Sequence, residues 1–195
     1  VKLRVLAVAA AAVFLLAGCT ANDDLAEQYQ SGGGQGYISS DGAYVEIPVA
    51  DRDAPIVFEG VDEYGETISS ETLADQVFVV NFWYAGCPPC RLEAPDLAEL
   101  SDEYSDSVPF IGVNVTDSAD VALAFAEKFS VPYPSIMDAQ TASVQLAFAG
   151  AVAPNAVPTT IVVDRDGRVA ARISGRLTDQ SILATMIDTV VAEAK

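Results

Sequence analysis

Val77-Phe78-Val79-Val80-Asn81-Phe82-Trp83-Tyr84-Ala85-Gly86-Cys87-Pro88-Pro89-Cys90-Arg91 is the stretch on which the reading of this chain turns. Residues 77–83 form a near-continuous apolar run, the pattern of a central strand covered on both faces. A helical pattern follows from about Pro88 to Tyr104, with Leu92, Leu97 and Leu100 as its apolar positions. Cys87 and Cys90 therefore stand where a strand ends and a helix begins. The unpaired N–H groups and partial positive charge of a helix N-terminus favour a thiolate over a thiol. Cys87, first and expected to be the more exposed, is the candidate nucleophile. Cys90, one turn later on the same face, can close a disulfide and release the product. Pro88 and Pro89 fall in the first turn, where a missing N–H costs little.

Composition narrows what this pair can do. The 195 residues contain no histidine, which removes Ser-His-Asp and Cys-His nucleophiles, His-ligated zinc and proximal-His haem together. A zinc site would need further ligands, and haem c attachment would need His where Arg91 stands. A purely structural bridge between Cys87 and Cys90 remains open, although so short a loop gains little stability from closure. Any proton chemistry must then fall to Asp, Glu, Lys, Tyr, Cys or water. Glu93 is near in sequence and is expected on a solvated helix face. With 10 Lys and Arg against 28 Asp and Glu, the formal charge is −18. That balance argues against a nucleic-acid partner, whose phosphate backbone would be repelled rather than neutralised.

The third cysteine reads differently. Lys2 and Arg4 precede an apolar run from Val5 to Ala17, followed by Leu16-Ala17-Gly18-Cys19. The run is shorter than the roughly 18–20 residues of a spanning helix and has the marks of a secretory signal. Leu-Ala-Gly-Cys resembles the bacterial lipoprotein signal, which implies lipidation of Cys19 and removal of residues 1–18. Residues 20–43 are rich in Asn, Asp, Gln, Gly and Ser and cannot bury enough apolar area to offset chain entropy. The expected organisation is a signal peptide at 1–18, a flexible tether at 19–48 and a folded domain at 49–195.

Further along, Ile56-Val57-Phe58 and Thr67-Ile68 suggest an opening hairpin around a turn at 63–66. Residues 110–115 read as a second buried strand, 119–130 as a helix and 141–148 as a short helix. Strands are expected at 160–163 and 169–173 around the turn signal Asp164-Arg165-Asp166-Gly167-Arg168. An amphipathic helix at 181–194 closes the chain. The order gives an α/β protein with a mixed sheet flanked by helices.

The segment from Asn81 to Pro95 closely resembles the active-site segment of extracytoplasmic TlpA/ResA-like thioredoxins. The resemblance runs from about residue 49 to the C-terminus and includes residues 129–134, Val157-Pro158-Thr159-Thr160, the Asp166-Gly167 hairpin and Gly175. It implies a thioredoxin fold with an N-terminal β-hairpin extension and a central helical insertion. It also implies a cis Pro158 facing the dithiol, with the Val157 backbone pairing with an incoming peptide strand. Trp83 and Gly86 are expected beside the substrate, and Gly86 departs from the Trp that many relatives carry there. Pro95, inside the helix, should free the Arg91 carbonyl and produce a kink.

The implied function is thiol–disulfide exchange with exported proteins, with no cofactor beyond the dithiol. Reduction of apocytochrome c, supplied by a membrane thiol electron donor, is the leading expectation for a protein lipid-anchored outside the cytoplasm. A disulfide oxidase and a non-catalytic lipoprotein with a structural bridge are the alternatives.

Overall fold

The computed structural model describes residues 43–151 and 156–193. The signal-like segment, Cys19 and the Gly-rich stretch lie outside the described residues. Among the described residues, eight strands and four α-helices follow in the order β1 (Tyr44–Glu46), β2 (Glu59–Val61), β3 (Thr67–Ser69), β4 (Phe78–Trp83), α1 (Pro88–Glu103), β5 (Phe110–Asn114), α2 (Ala119–Phe129), β6 (Ser135–Met137), α3 (Ser143–Ala147), β7 (Thr159–Val163), β8 (Val169–Ser174) and α4 (Gln180–Ala192). A 3-10 turn at Val49–Asp51 follows β1.

Six strands form one sheet in the order β1-β8-β7-β4-β5-β6, and β2-β3 form a separate hairpin. β4 lies in the interior of the sheet, parallel to β5 and antiparallel to β7, and all six of its residues are buried. A parallel pair needs a crossover, and α1 supplies it. Alternation along β4 then divides the core. Val79 faces Leu97 and Leu100 of α1 and Leu183, Ile187 and Val190 of α4. Phe78, Val80 and Phe82 face the other way, against Phe58, Leu73, Val144 and Phe148 from the hairpin region and the segment containing α3. The mixed, two-sided sheet expected from the sequence is present.

Several details differ from expectation. β1 pairs with β8, Tyr44 opposite Ile173, so the ordered domain begins before residue 49. The opening hairpin uses Glu59–Val61 as its first strand, and Val57 is largely exposed. β6 is an additional strand that packs Ile136 into the core. On α1, Leu92 is 58% exposed, and the inward stripe runs instead through Cys90, Glu93, Ala94, Leu97, Leu100 and Ser101. The helix itself spans Pro88–Glu103 with Pro95 inside it, in line with the expected run to about Tyr104.

Candidate active site

Cys87 takes extended backbone angles as the N-cap of α1, with Pro88 and Pro89 in the first turn. Its Sγ accepts a hydrogen bond from the Cys90 N–H at 3.2 Å, which fills one of the donors left open at a helix start. The two sulfurs are joined in a disulfide, with Cα atoms 5.3 Å apart. In this oxidised form Cys87 and Cys90 are 1% and 2% exposed, so the expected difference in exposure is absent. What separates them is position. Cys87 sits at the helix mouth, where both the dipole and the Cys90 N–H stabilise a thiolate. Cys90 lies on the inward stripe, with Trp83, Ala94 and Phe125 as neighbours.

The strand-to-helix loop is held from the side. Asp117, just after β5, accepts from the Ala85 N–H at 2.6 Å and from Asn114 Nδ2 at 2.9 Å. Asn114 Oδ1 in turn accepts from the N–H groups of Thr116 and Asp117. An Asn-x-x-Asp turn after a buried strand carries this brace, and sequence reasoning passed over it.

Trp83, expected beside the substrate, is turned inward. It is 5% exposed, its ring lies 4.3 Å from that of Phe125, and its Nε1 donates to Ser135 Oγ at 3.0 Å. As the last residue of β4 it points into the α1–α2 side and supports the dithiol from beneath. Gly86 is exposed at the rim, where an added Cβ would meet only the Tyr84 ring, at ordinary contact distance.

The peptide bond before Pro158 is cis, as the resemblance implied. Val157 is half-buried and packs against the apolar cluster that contains both cysteines. The Pro158 carbonyl accepts from the Gly175 N–H at 2.9 Å, and Gly175 adopts a φ of 91°, which a side chain would oppose. The β7 start, the β8 end and the dithiol thus converge.

Behind Cys90 lies the group that the sequence misplaced. Glu93 is 1% exposed rather than solvated, because a residue three places after Cys90 shares its inward face. Its Oε1 accepts from Asn81 Nδ2 at 3.1 Å and its Oε2 from the Leu177 N–H at 2.8 Å. Asn81 also donates to Thr160 Oγ1 at 3.0 Å. Burial outweighs these bonds and the positive charge of Arg176, and pushes the Glu93 carboxyl up to about 7. A cavity of about 10 Å³ borders Cys90, Asn81, Tyr133 and Ser135. That volume is close to the space one water needs, and Asn81, Tyr133 and Ser135 supply polar groups among its mainly apolar walls.

A strand ending in a dithiol at a helix start, opposite a cis proline, invites comparison with known proteins. Residues 48–187 match the family model described as Redoxin. The chain belongs to the redoxin family. This redoxin is 30% identical over 163 residues to the thiol:disulfide interchange protein HelX of Rhodobacter capsulatus, covering 82% of this chain and 88% of that one. Among solved structures, a DsbF homologue from Corynebacterium diphtheriae superposes with a TM-score of 0.67 at 31% identity, covering 80% of this chain and 99% of the other. A secreted thiol-disulfide isomerase from Corynebacterium glutamicum gives a TM-score of 0.66, with the same identity and coverage. The redoxin therefore has the thioredoxin fold and is a thiol–disulfide oxidoreductase of the TlpA/ResA-like kind.

Proposed function

We propose that this redoxin, anchored outside the cytoplasm by a lipid on Cys19, reduces disulfides in exported proteins, apocytochrome c among them. The observation that carries the reductive direction is the buried Glu93 carboxyl on the Cys90 side of the dithiol. A carboxylate there opposes thiolate charge, and so favours the oxidised form of the pair over the reduced one. A pair that prefers its disulfide gives electrons away.

The reaction begins with the Cys87 thiolate, stabilised at the helix mouth. It attacks one sulfur of the substrate disulfide while the Val157 backbone pairs with the substrate strand. A mixed disulfide forms, and the first substrate sulfur leaves as a thiolate that takes a proton from solvent. Cys90 then loses its proton, and the buried Glu93 carboxyl on its side of the dithiol is the acceptor. The Cys90 thiolate attacks Cys87 Sγ, the mixed disulfide breaks, and the second substrate thiolate departs. Two electrons have passed to the substrate, and Cys87–Cys90 is again a disulfide. A membrane thiol donor completes the cycle by reducing it.

A disulfide oxidase is the second reading. It is favoured by the Cys90 N–H on Cys87 Sγ, which stabilises the thiolate of the reduced pair, and by the likeness to a secreted thiol-disulfide isomerase. The reduction potential decides between them. A value near that of thioredoxin, about −270 mV, supports the reductase, and one near that of DsbA, about −120 mV, supports the oxidase. A Cys90→Ser variant should accumulate mixed disulfides through Cys87 with exported proteins. Recovery of the unmodified protein alone would overturn both readings. Unchanged membrane association of Cys19→Ala would overturn the lipid anchor.

A further inference from the structure

The few cations of this acidic chain are not spread evenly. Arg52 and Arg168 are ion-paired with Asp164, and Arg52 also with Glu193. Arg165 donates to the carbonyls of Val191 and Glu193, and Arg172 to that of Ala151. These four are engaged by the fold. The other three cations among the described residues, Arg91, Lys128 and Arg176, are exposed, and none has an ion-pair partner there.

All three belong to segments that pack around the dithiol. Arg91 follows Cys90 directly, and its guanidinium carbon lies 5.8 Å from the centre of the Phe129 ring. The Lys128 ammonium lies 5.5 Å from the same ring. Phe129 is half-buried and packs at a tilt on Phe125, with ring centres 4.5 Å apart, and Phe125 packs likewise on Trp83 beneath the cysteines. Arg176 stands on the other flank of β4, next to the Gly175 that holds the Pro158 carbonyl, and Glu93 feels its charge. Asp117 is the carboxylate bonded into the active-site loop, and Ala85 N–H and Asn114 Nδ2 both donate to its Oδ2.

We propose that this cationic rim docks an anionic stretch of polypeptide, with carboxylate side chains flanking the reactive cysteine of the partner protein and Phe129 as the apolar seat between two cations. The proposal rests on the exchange reading above and names the chemistry of its substrate. Charge complementarity supports it over an uncharged or basic partner. At physiological salt the screening length is about 8 Å, so charges beyond that reach are muted while rim charges act at contact. Local complementarity of this kind sets on-rate and partner choice.

The test uses the reduced full chain and three synthetic peptides of equal length. Each carries one internal disulfide, flanked by Glu, Gln or Lys. Second-order reduction rates are followed by stopped flow for the wild type and for Arg91→Gln/Lys128→Gln/Arg176→Gln. The readout is the ratio of Glu-peptide to Gln-peptide rates, in which any change in thiol reactivity common to both cancels. At about twofold for each exposed pair, the ratio should fall about eightfold in the triple variant. In the wild type it should shrink when salt is raised to about 0.5 M. An unchanged ratio in the triple variant, or a wild-type ratio insensitive to salt, overturns the docking proposal. Failure of the wild type to reduce even the Gln peptide overturns instead the exchange reading beneath it.

Discussion

Asn81 Nδ2 donates to Glu93 Oε1 across 3.1 Å, so the strand beneath Cys90 and the carboxyl three residues after it form one buried unit. The Leu177 N–H holds the other oxygen, and the apolar surroundings push the carboxyl up to about 7. A group with that value can take a proton at neutral pH and give it back. Resolution of a mixed disulfide on Cys87 should therefore accelerate as pH rises through about 7. Glu93→Gln should lose that inflection and resolve about tenfold more slowly at pH 7.5. Stopped-flow release of a chromogenic thiol measures both. An inflection kept by the variant would assign the proton to another group.

The same carboxyl makes the oxidised fold sensitive to pH. Its folded value of about 7 lies above the ordinary value of 4.5 that the unfolded chain regains. The folded state thus binds this proton more tightly. Its contribution to stability is whole below about pH 4.5, declines as pH rises, and reaches its floor above about pH 7. Over that window the decline is about 3 kcal/mol. Gln at position 93 has no proton to lose, and Asn81 can turn its amide over to accept from the Gln amide. Denaturant unfolding at pH 5 and pH 8 should show the decline in the wild type and about 3 kcal/mol less of it in Glu93→Gln. Equal declines in both proteins would place the effect elsewhere.

The dithiol and its strand–helix setting were legible because their signals are local: a run of apolar residues, two first-turn prolines and a spacing of three. Glu93 was not, since its burial follows from Asn81, Thr160 and the Leu177 N–H closing over α1, which no helical period records. Leu92 misled for a related reason. It is apolar but turned outward, and the inward stripe was carried partly by Cys90, Glu93 and Ser101, which do not read as core. Trp83 was expected beside the substrate, yet the last inward residue of a central strand has only the sheet-facing side of α1 and α2 to occupy. β1 and β6 are three-residue strands, and their pairing with β8 and β5 is long-range information.

Gly112 offers a test of the support beneath the cysteines. It lies on β5 opposite Asn81 on one side and Ser135 on the other. A Cβ there would overlap Ser135 Oγ and stand 2.7 Å from Trp83 Nε1. Gly112→Ala must part the Trp83–Ser135 hydrogen bond or shift β6. The expected cost is about 2 kcal/mol, read from denaturant unfolding. Trp83 is the single tryptophan, so its emission should move to longer wavelength as the indole loses its buried partner. An unshifted spectrum with full stability would mean that the β5–β6 register gives way without cost.

Arg52 tests whether the far end of the sheet is independent of the chemistry. Its side chain is buried and links Asp164 after β7 to Glu193 after α4. Asp164 follows the Val163 that pairs with Phe78, whereas the dithiol follows the other end of β4. Five residues of strand separate those ends, roughly 17 Å. Arg52→Met leaves two carboxylates without their guanidinium, although Arg168 still donates to Asp164 at 3.0 Å. Breaking a buried pair from one side costs about 3 kcal/mol, so the midpoint of denaturation should fall well below that of the wild type. Adding Asp164→Asn should restore part of the loss, because the stranded charge is then gone. Reduction of a small uncharged disulfide should proceed at the wild-type rate in both variants under native conditions. A matching fall in exchange rate would show that the ionic latch and the dithiol are coupled through β4.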